Sequence, residues 1–416
     1  MTQTAPRRSD AKFHKIKSEY ATHSINRGLK RGQINEDDVN LLYEFIAEHK
    51  SCANISPARV NKLIYHLVAW RKYIGPFREN TVVNLYQGID SLKSATNERG
   101  RPYKQNTLYD FVAILKLFYT WMIESDYTDI NERKLKKIKP PSQETMTKEA
   151  NDILSKEEVA AMIRCCQNSR DRAIITMLYE GGFRIGELGT LVWNDVKFDK
   201  YGVVVNVNFK TGKPRYIRLI MATEHISRWK DDYPFTPEPD ALVFLTQQRN
   251  PLNHPAINSQ IQKIAGRAGI TKHVTPHIFR HTRITHLIQD GVNESVIKLM
   301  MWGTLTTNMF QTYAHLTGGD IDRAMLNNYG ITTQEDEEQN AVSLEPRQCP
   351  NCHYVNGPVA TYCSHCGQSL TTEAQETIQT LVQDLIDHPE ILREVLEKRV
   401  QEKRGSQNHA PPLLST

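Results

Sequence analysis

Six side chains between residues 184 and 313 have the types needed to act on a phosphodiester. Arg184 follows a glycine pair in Gly181-Gly182-Phe183-Arg184-Ile185-Gly186-Glu187-Leu188, and Lys210 opens the run Lys210-Thr211-Gly212-Lys213-Pro214. His277 and Arg280 stand three apart in His277-Ile278-Phe279-Arg280-His281-Thr282. Trp302 precedes Gly303, and Tyr313 follows the tryptophan by eleven residues. An arginine fork donates two hydrogen bonds to non-bridging phosphate oxygens and keeps its charge at any working pH. Two forks would neutralise the extra charge of a pentavalent transition state. A tyrosine hydroxyl, with a pKa of about 10, becomes a nucleophile once its proton is taken or its anion stabilised. A lysine on a turn can protonate the departing oxygen, and an indole N–H, which only donates, suits a phosphate oxygen. Taken singly, each residue has a plainer explanation. Arg184 would be a surface ion-pair partner, Lys210 a solvated charge, His277 a structural histidine and Trp302 packing, while Tyr313 is one of 17 tyrosines.

In this order the set resembles the catalytic domain of the tyrosine recombinase (phage integrase, Xer-like) family. The resemblance rests on three boxes: G-x-R-x-x-E-L at Gly182 to Leu188, H-x-x-R-H-[ST] at His277 to Thr282, and a tryptophan beside glycine followed by Tyr313-Ala314-His315. It spans about residues 154–330, and the helical, basic first part of the chain is similar in style. The resemblance implies a two-domain clamp around double-stranded DNA at a specific core site, worked by a homotetramer. Arg184 and Arg280 would hold the scissile phosphate, Lys210 would be the general acid and His277 would assist proton transfer. Trp302 would stand where other members have histidine. Tyr313 would attack to leave a 3′-phosphotyrosine and a free 5′ hydroxyl, with no catalytic metal or ATP. The Trp302-to-Tyr313 gap is slightly longer than usual for the family, and Lys213 in the same turn competes with Lys210. A relaxing enzyme of type IB topoisomerase style and a non-catalytic DNA-binding protein are the other readings.

Four of the seven cysteines form C-x-x-C pairs, Cys349/Cys352 and Cys363/Cys366, separated by ten residues. Four thiolates at this spacing suit a closed structural zinc site in a zinc ribbon, with an iron–sulfur cluster or a redox dithiol pair as alternatives. The ribbon or the tail behind it could dock an accessory protein.

The elements that must carry these residues are mainly helical. Leu108, Phe111, Leu115, Phe118 and Met122 recur at helical spacing over Asn106–Glu124, and Ser56-Pro57 opens another helix. No strand is expected before residue 190. The basic run Arg133 to Lys139 ends at Pro140-Pro141 and passes into a polar linker. Ser155 with Glu158 starts a second domain, followed by a helix over Arg170–Gly181. Strands at Val203–Phe209 and Tyr216–Ile220 would form a hairpin around Lys210. Helices resume near Ile257. The expected plan is mainly α with a small β-sheet in the catalytic domain. It runs as a helical core-binding domain at 1–140, a linker at 141–153 and the catalytic domain at 154–335. The zinc ribbon takes 345–370 and an amphipathic helical tail 371–416.

Charge divides along the same lines. Residues 1–150 hold 25 Lys+Arg against 17 Asp+Glu, residues 151–330 hold 21 against 17, and residues 331–416 hold 6 against 13. The net of +5 thus hides a body of +12 and a tail of −7, and a basic body suits a polyanionic partner. With 39% apolar and 24% charged residues the chain can bury a core. It has no apolar run of membrane-spanning length and no hydrophobic leader core, so a cytoplasmic, nucleoid-associated protein is expected.

Overall fold

The computed structural model describes residues 4–11, 13, 19–97, 99–144, 153–207, 214–312, 344, 346–358 and 360–390. They fall into two compact units, one of residues 14–149 and one that joins residues 1–13 to 150–416. Of the described residues, 4–11 and 13 therefore group with the second unit.

The unit of residues 14–149 is helical: α1 (Glu19–Lys30), α2 (Glu36–Ala53), α3 (Pro57–Trp70), α4 (Val82–Ser94), α5 (Gln105–Glu124) and α6 (Glu132–Lys136). Ser56 caps α3 by accepting the Arg59 N–H, with Pro57 in the first turn, where its missing N–H costs nothing. The periodic run of α5 buries Phe111, Leu115, Phe118 and Met122 against Phe45, Trp70 and Phe77. At its centre Asp38 is fully buried. Its carboxylate accepts from Arg71 Nε at 2.7 Å and from the N–H groups of Phe77 at 2.9 Å and Asn35 at 3.2 Å.

The other unit begins its helices with α7 (Lys156–Arg164), where Ser155 and Glu158 form a reciprocal capping box. Next come α8 (Ser169–Gly181) and α9 (Ile185–Gly189). A three-stranded antiparallel sheet follows, β1 (Val196–Asp199), β2 (Gly202–Val207) and β3 (Arg215–Leu219), in that order. Val203 lies opposite Phe198 on one side and Leu219 on the other. The hairpin turn expected to carry Lys210 and Lys213 lies outside the described residues. β1 is a strand the sequence did not announce. It has four residues, of which Val196 alone is buried, so there is no alternation long enough to read. The unit continues with α10 (Thr223–Asp231), α11 (His254–Arg267), α12 (Pro276–Gln289) and α13 (Glu294–Trp302).

Nearer the C-terminus a two-stranded hairpin, β4 (Arg347–Gln348) and β5 (Val355–Asn356), holds Cys349 and Cys352 between its strands, Cys363 and Cys366 come after it, and α14 (Thr372–Asp387) follows. Along α14, Ile378, Leu381, Val382 and Ile386 are exposed. The remainder of the expected amphipathic tail, from residue 391 on, lies outside the described residues. Among those described, no helix is long and apolar enough to cross a membrane.

Candidate active site

Gly182 starts the site. It closes α8 in the left-handed conformation at φ +54°, which glycine adopts without steric penalty. A Cβ there would also stand 2.7 Å from the Met301 sulfur. The turn delivers Arg184 to the N-cap of α9. Its backbone N–H donates to one oxygen of Glu187 at 2.8 Å, and its guanidinium donates to the other at 2.9 Å. The Arg184 side chain remains 37% exposed while Glu187 is buried. Glu187 also binds Arg215, whose guanidinium donates in turn to the carbonyls of Met300 at 2.8 Å and Met301 at 2.9 Å. Burial pulls the Arg215 pKa down from its usual value, and Glu187 opposes that pull.

Arg280 comes in from α12 and is buried. Its two terminal nitrogens donate to the carbonyls of Gly182 at 2.6 Å and Met301 at 2.5 Å. The Gly182 turn and the last turn of α13 are thus fastened to one guanidinium. Trp302, the last residue of α13, lays its ring 5.4 Å from the Arg280 guanidinium carbon. His277, one helical turn before Arg280, is exposed and meets the His281 ring edge-on at 4.3 Å between centroids.

Of the six expected residues, Arg184, Arg280 and Trp302 converge on the Gly182 and Met301 segments, and His277 shares its helix with Arg280. Lys210 and its competitor Lys213 lie outside the described residues, as do Tyr313 and His315. Two members of the network had no assigned role in the sequence. Glu187 stood inside the quoted box, and its three-residue spacing from Arg184 is a capping-box signal. Arg215 occupies an inward position of β3 together with Ile217 and Leu219, and a charge at such a position marks a buried network. Another buried acid, Glu180, accepts the N–H groups of Ile220, Met221 and Ala222 at 2.7–2.9 Å, which ties the end of α8 to the segment between β3 and α10. Burial raises its pKa, and those three donors act against the rise.

The sulfurs of Cys349, Cys352, Cys363 and Cys366 lie within 4.8 Å of one another. Cys349 and Cys366 are 3.6 Å apart, as are Cys352 and Cys363. A tetrahedral site with metal–sulfur bonds of ~2.3 Å has edges of about 3.8 Å, so the four thiols fit one ion. Burial pushes the Cys363 thiol up, but the backbone N–H groups of Cys366 and His365 and the Asn356 amide outweigh it and hold the pKa at about 6.

Residues 152–318 match the model of the phage integrase family. The chain is similar to tyrosine recombinase XerA of Pyrococcus horikoshii, 27% identical over 245 residues that cover 57% of this chain and 78% of that protein. It is likewise similar to tyrosine recombinase XerC of Bacillus subtilis, 26% identical over 266 residues, or 59% and 84% of the two chains. The fold is that of the XerH site-specific recombinase bound to a palindromic difH substrate, with a TM-score of 0.52 at 16% identity, covering 75% of this chain and 97% of that one. It is also that of lambda integrase bound to DNA, with a TM-score of 0.51 at 12% identity, covering 66% and 97%.

Proposed function

We propose that residues 152–318, which match the phage integrase family model, form a tyrosine recombinase catalytic domain, and we assign the reaction and the role of each residue on that reading. The chain is a site-specific recombinase that cuts and rejoins double-stranded DNA at a core site. The observation that carries this reading is the pair of arginines, Arg184 presented and Arg280 locked, placed on either side of Gly182 with Trp302 against the second.

Arg184 and Arg280 grip the non-bridging oxygens of the scissile phosphate, and the Trp302 indole N–H donates to one of them. The Tyr313 hydroxyl oxygen attacks phosphorus and its proton passes to a base, with His277 assisting. The bond from phosphorus to the 5′ oxygen breaks, and Lys210 gives that oxygen its proton. The product is a 3′-phosphotyrosine and a free 5′ hydroxyl. The energy of the phosphodiester stays in the covalent link, so a 5′ hydroxyl from a partner strand can reverse the attack. Four copies on two DNA sites supply the paired strands, and the basic body of residues 1–330 supplies contacts along the phosphate backbone. Such a reaction belongs in the compartment that holds the chromosome, the bacterial or archaeal cytoplasm.

Cys349, Cys352, Cys363 and Cys366 hold a structural zinc ion that takes no part in strand cleavage. Metal analysis of purified protein giving about one zinc per chain supports this, and iron or no metal overturns it.

The test of the main reading incubates wild-type and Tyr313→Phe protein with plasmid carrying the DNA that flanks this chain's own gene. Detergent quenching then reveals protein bound covalently to a DNA 3′ end. The expected outcome is an adduct with wild type alone, and an adduct with Tyr313→Phe would overturn the assignment.

A further inference from the structure

The N-terminal segment docks along the second unit, and its contacts gather at one place. Pro6 accepts the Leu242 N–H at 2.9 Å, and Arg7 bridges Ala241 in antiparallel fashion. Arg8 donates through Nε to the Thr190 carbonyl at 3.0 Å, and its terminal nitrogen pairs with Asp195. Phe13 is 4% exposed and belongs to the main core of this unit. Its ring lies so close over Gly189 that a Cβ on that glycine would run into it. On its other side the ring meets His254 edge-on at 6.4 Å.

Gly189 and Thr190 are the last residue of α9 and its C-cap. Arg184 is the N-cap at the opposite end of the same helix. With five residues α9 is about 7.5 Å long, too short to hold its shape without support. Arg280 is anchored differently, by two carbonyls of the buried scaffold. Within α9, Glu187 ties Arg184 to the buried Arg215, and what fixes the far end at Gly189 and Thr190 adds to how the helix, and with it Arg184, is seated.

We propose that Phe13 and Arg8 are positioning residues for Arg184, acting through α9 from outside the catalytic boxes. The proposal rests on the reading in which Arg184 grips the scissile phosphate. The strap presses on Gly189 and holds Thr190, so α9 stays seated and the Arg184 fork meets the phosphate in register. DNA binding draws on many phosphate contacts and does not need this register. The rate of attack does, since a misplacement of ~1 Å at a reacting centre costs on the order of 10²-fold.

The experiment uses full-length protein and a nicked duplex of the site located by the wild-type adduct, in which the released 5′-hydroxyl strand diffuses away and the adduct accumulates. It measures the first-order rate of adduct formation at saturating DNA, the DNA affinity, and the melting temperature. Phe13→Ala should lower the rate about tenfold or more and Arg8→Ala about threefold, each with affinity unchanged within about twofold. Phe13→Leu, which keeps an apolar mass over Gly189, should recover most of the rate. The inference fails if both alanine variants react at the wild-type rate once corrected for the folded fraction, or if rate and affinity fall together. Tyr313→Phe runs alongside as the separating control. An adduct from that variant would sink the reading of the site itself, whereas its inactivity beside fully active strap variants would sink this inference alone.

Discussion

Each unit buries a charged network, and the two networks end differently. In the helical unit Asp38 and Arg71 form a closed set. The carboxylate takes three donors, Arg71 also donates to the Ile74 carbonyl at 2.6 Å, and little of the guanidinium reaches solvent. In the other unit Glu187 and the Gly182 and Met301 carbonyls organise three arginines, and one of the three, Arg184, is left partly in solvent. Burying a charge is repaid only when its partners are complete, so the closed set secures a fold and adds no chemistry. The open set keeps donors for a ligand, and its buried members serve to hold those donors still.

The sharpest way to break the contrast is at its closed end. Asp38→Ala strands Arg71 and the Phe77 N–H, and should cost about 3–5 kcal/mol of unfolding free energy, read by denaturant titration. A loss below about 1 kcal/mol would show that the pair is not the closed network described. At the open end the expected damage falls on the rate. Arg184→Ala and Arg280→Ala should each slow adduct formation by about 10²–10³-fold, in the range for removing one preorganised donor. Only Arg280→Ala should also lower the melting temperature, because it strips the Gly182 carbonyl of its Arg280 donor and leaves the Met301 carbonyl with Arg215 alone. Equal melting shifts for the two variants would erase the difference between a presented and a locked arginine.

The mildest test uses pH. Burial holds the pKa of His225 and of His286 down to about 4, against 6.5 for the free side chain. The unfolded chain therefore binds protons that the folded unit refuses. Their contribution to stability is whole above pH 6.5 and is lost as the pH falls from 6.5 towards 4. At pH 5.5 each should cost on the order of 1 kcal/mol relative to pH 7.5. Among the described residues His225 Nε2 has no hydrogen-bond partner, so His225→Phe should remove about half of that slope without breaking a bond there. Melting curves that keep the full slope in this variant would place the titration elsewhere.

The helices around the site were legible because their signals are local. Ser155 with Glu158, Ser56-Pro57 and the periodic run of α5 each declare themselves within a few residues. Arg184, Arg280 and Trp302 were legible as a pattern of types in order. Arg215 was not, since a lone arginine in a strand looks solvated until its register with Ile217 and Leu219 is known. Nor was the strap. Pro6-Arg7-Arg8-Ser9-Asp10 has no apolar period, and Phe13 is a single aromatic whose partners lie near residues 189 and 254. β1 failed for the related reason that its neighbours in the sheet define it more than its own four residues do.

The seat of that strap sets a timetable for synthesis. Arg8 bonds to a carbonyl 182 residues further along, and Pro6 accepts from Leu242, later still. At ~5–20 residues per second, the ribosome takes roughly 12 to 48 s between making Phe13 and making His254, the last of these neighbours. For that interval the helical unit can fold on its own aromatic core while the residues ahead of it wait. Residues 6–13 are thus made long before the partners that seat them, and the strap is complete only after Leu242 and His254 have followed.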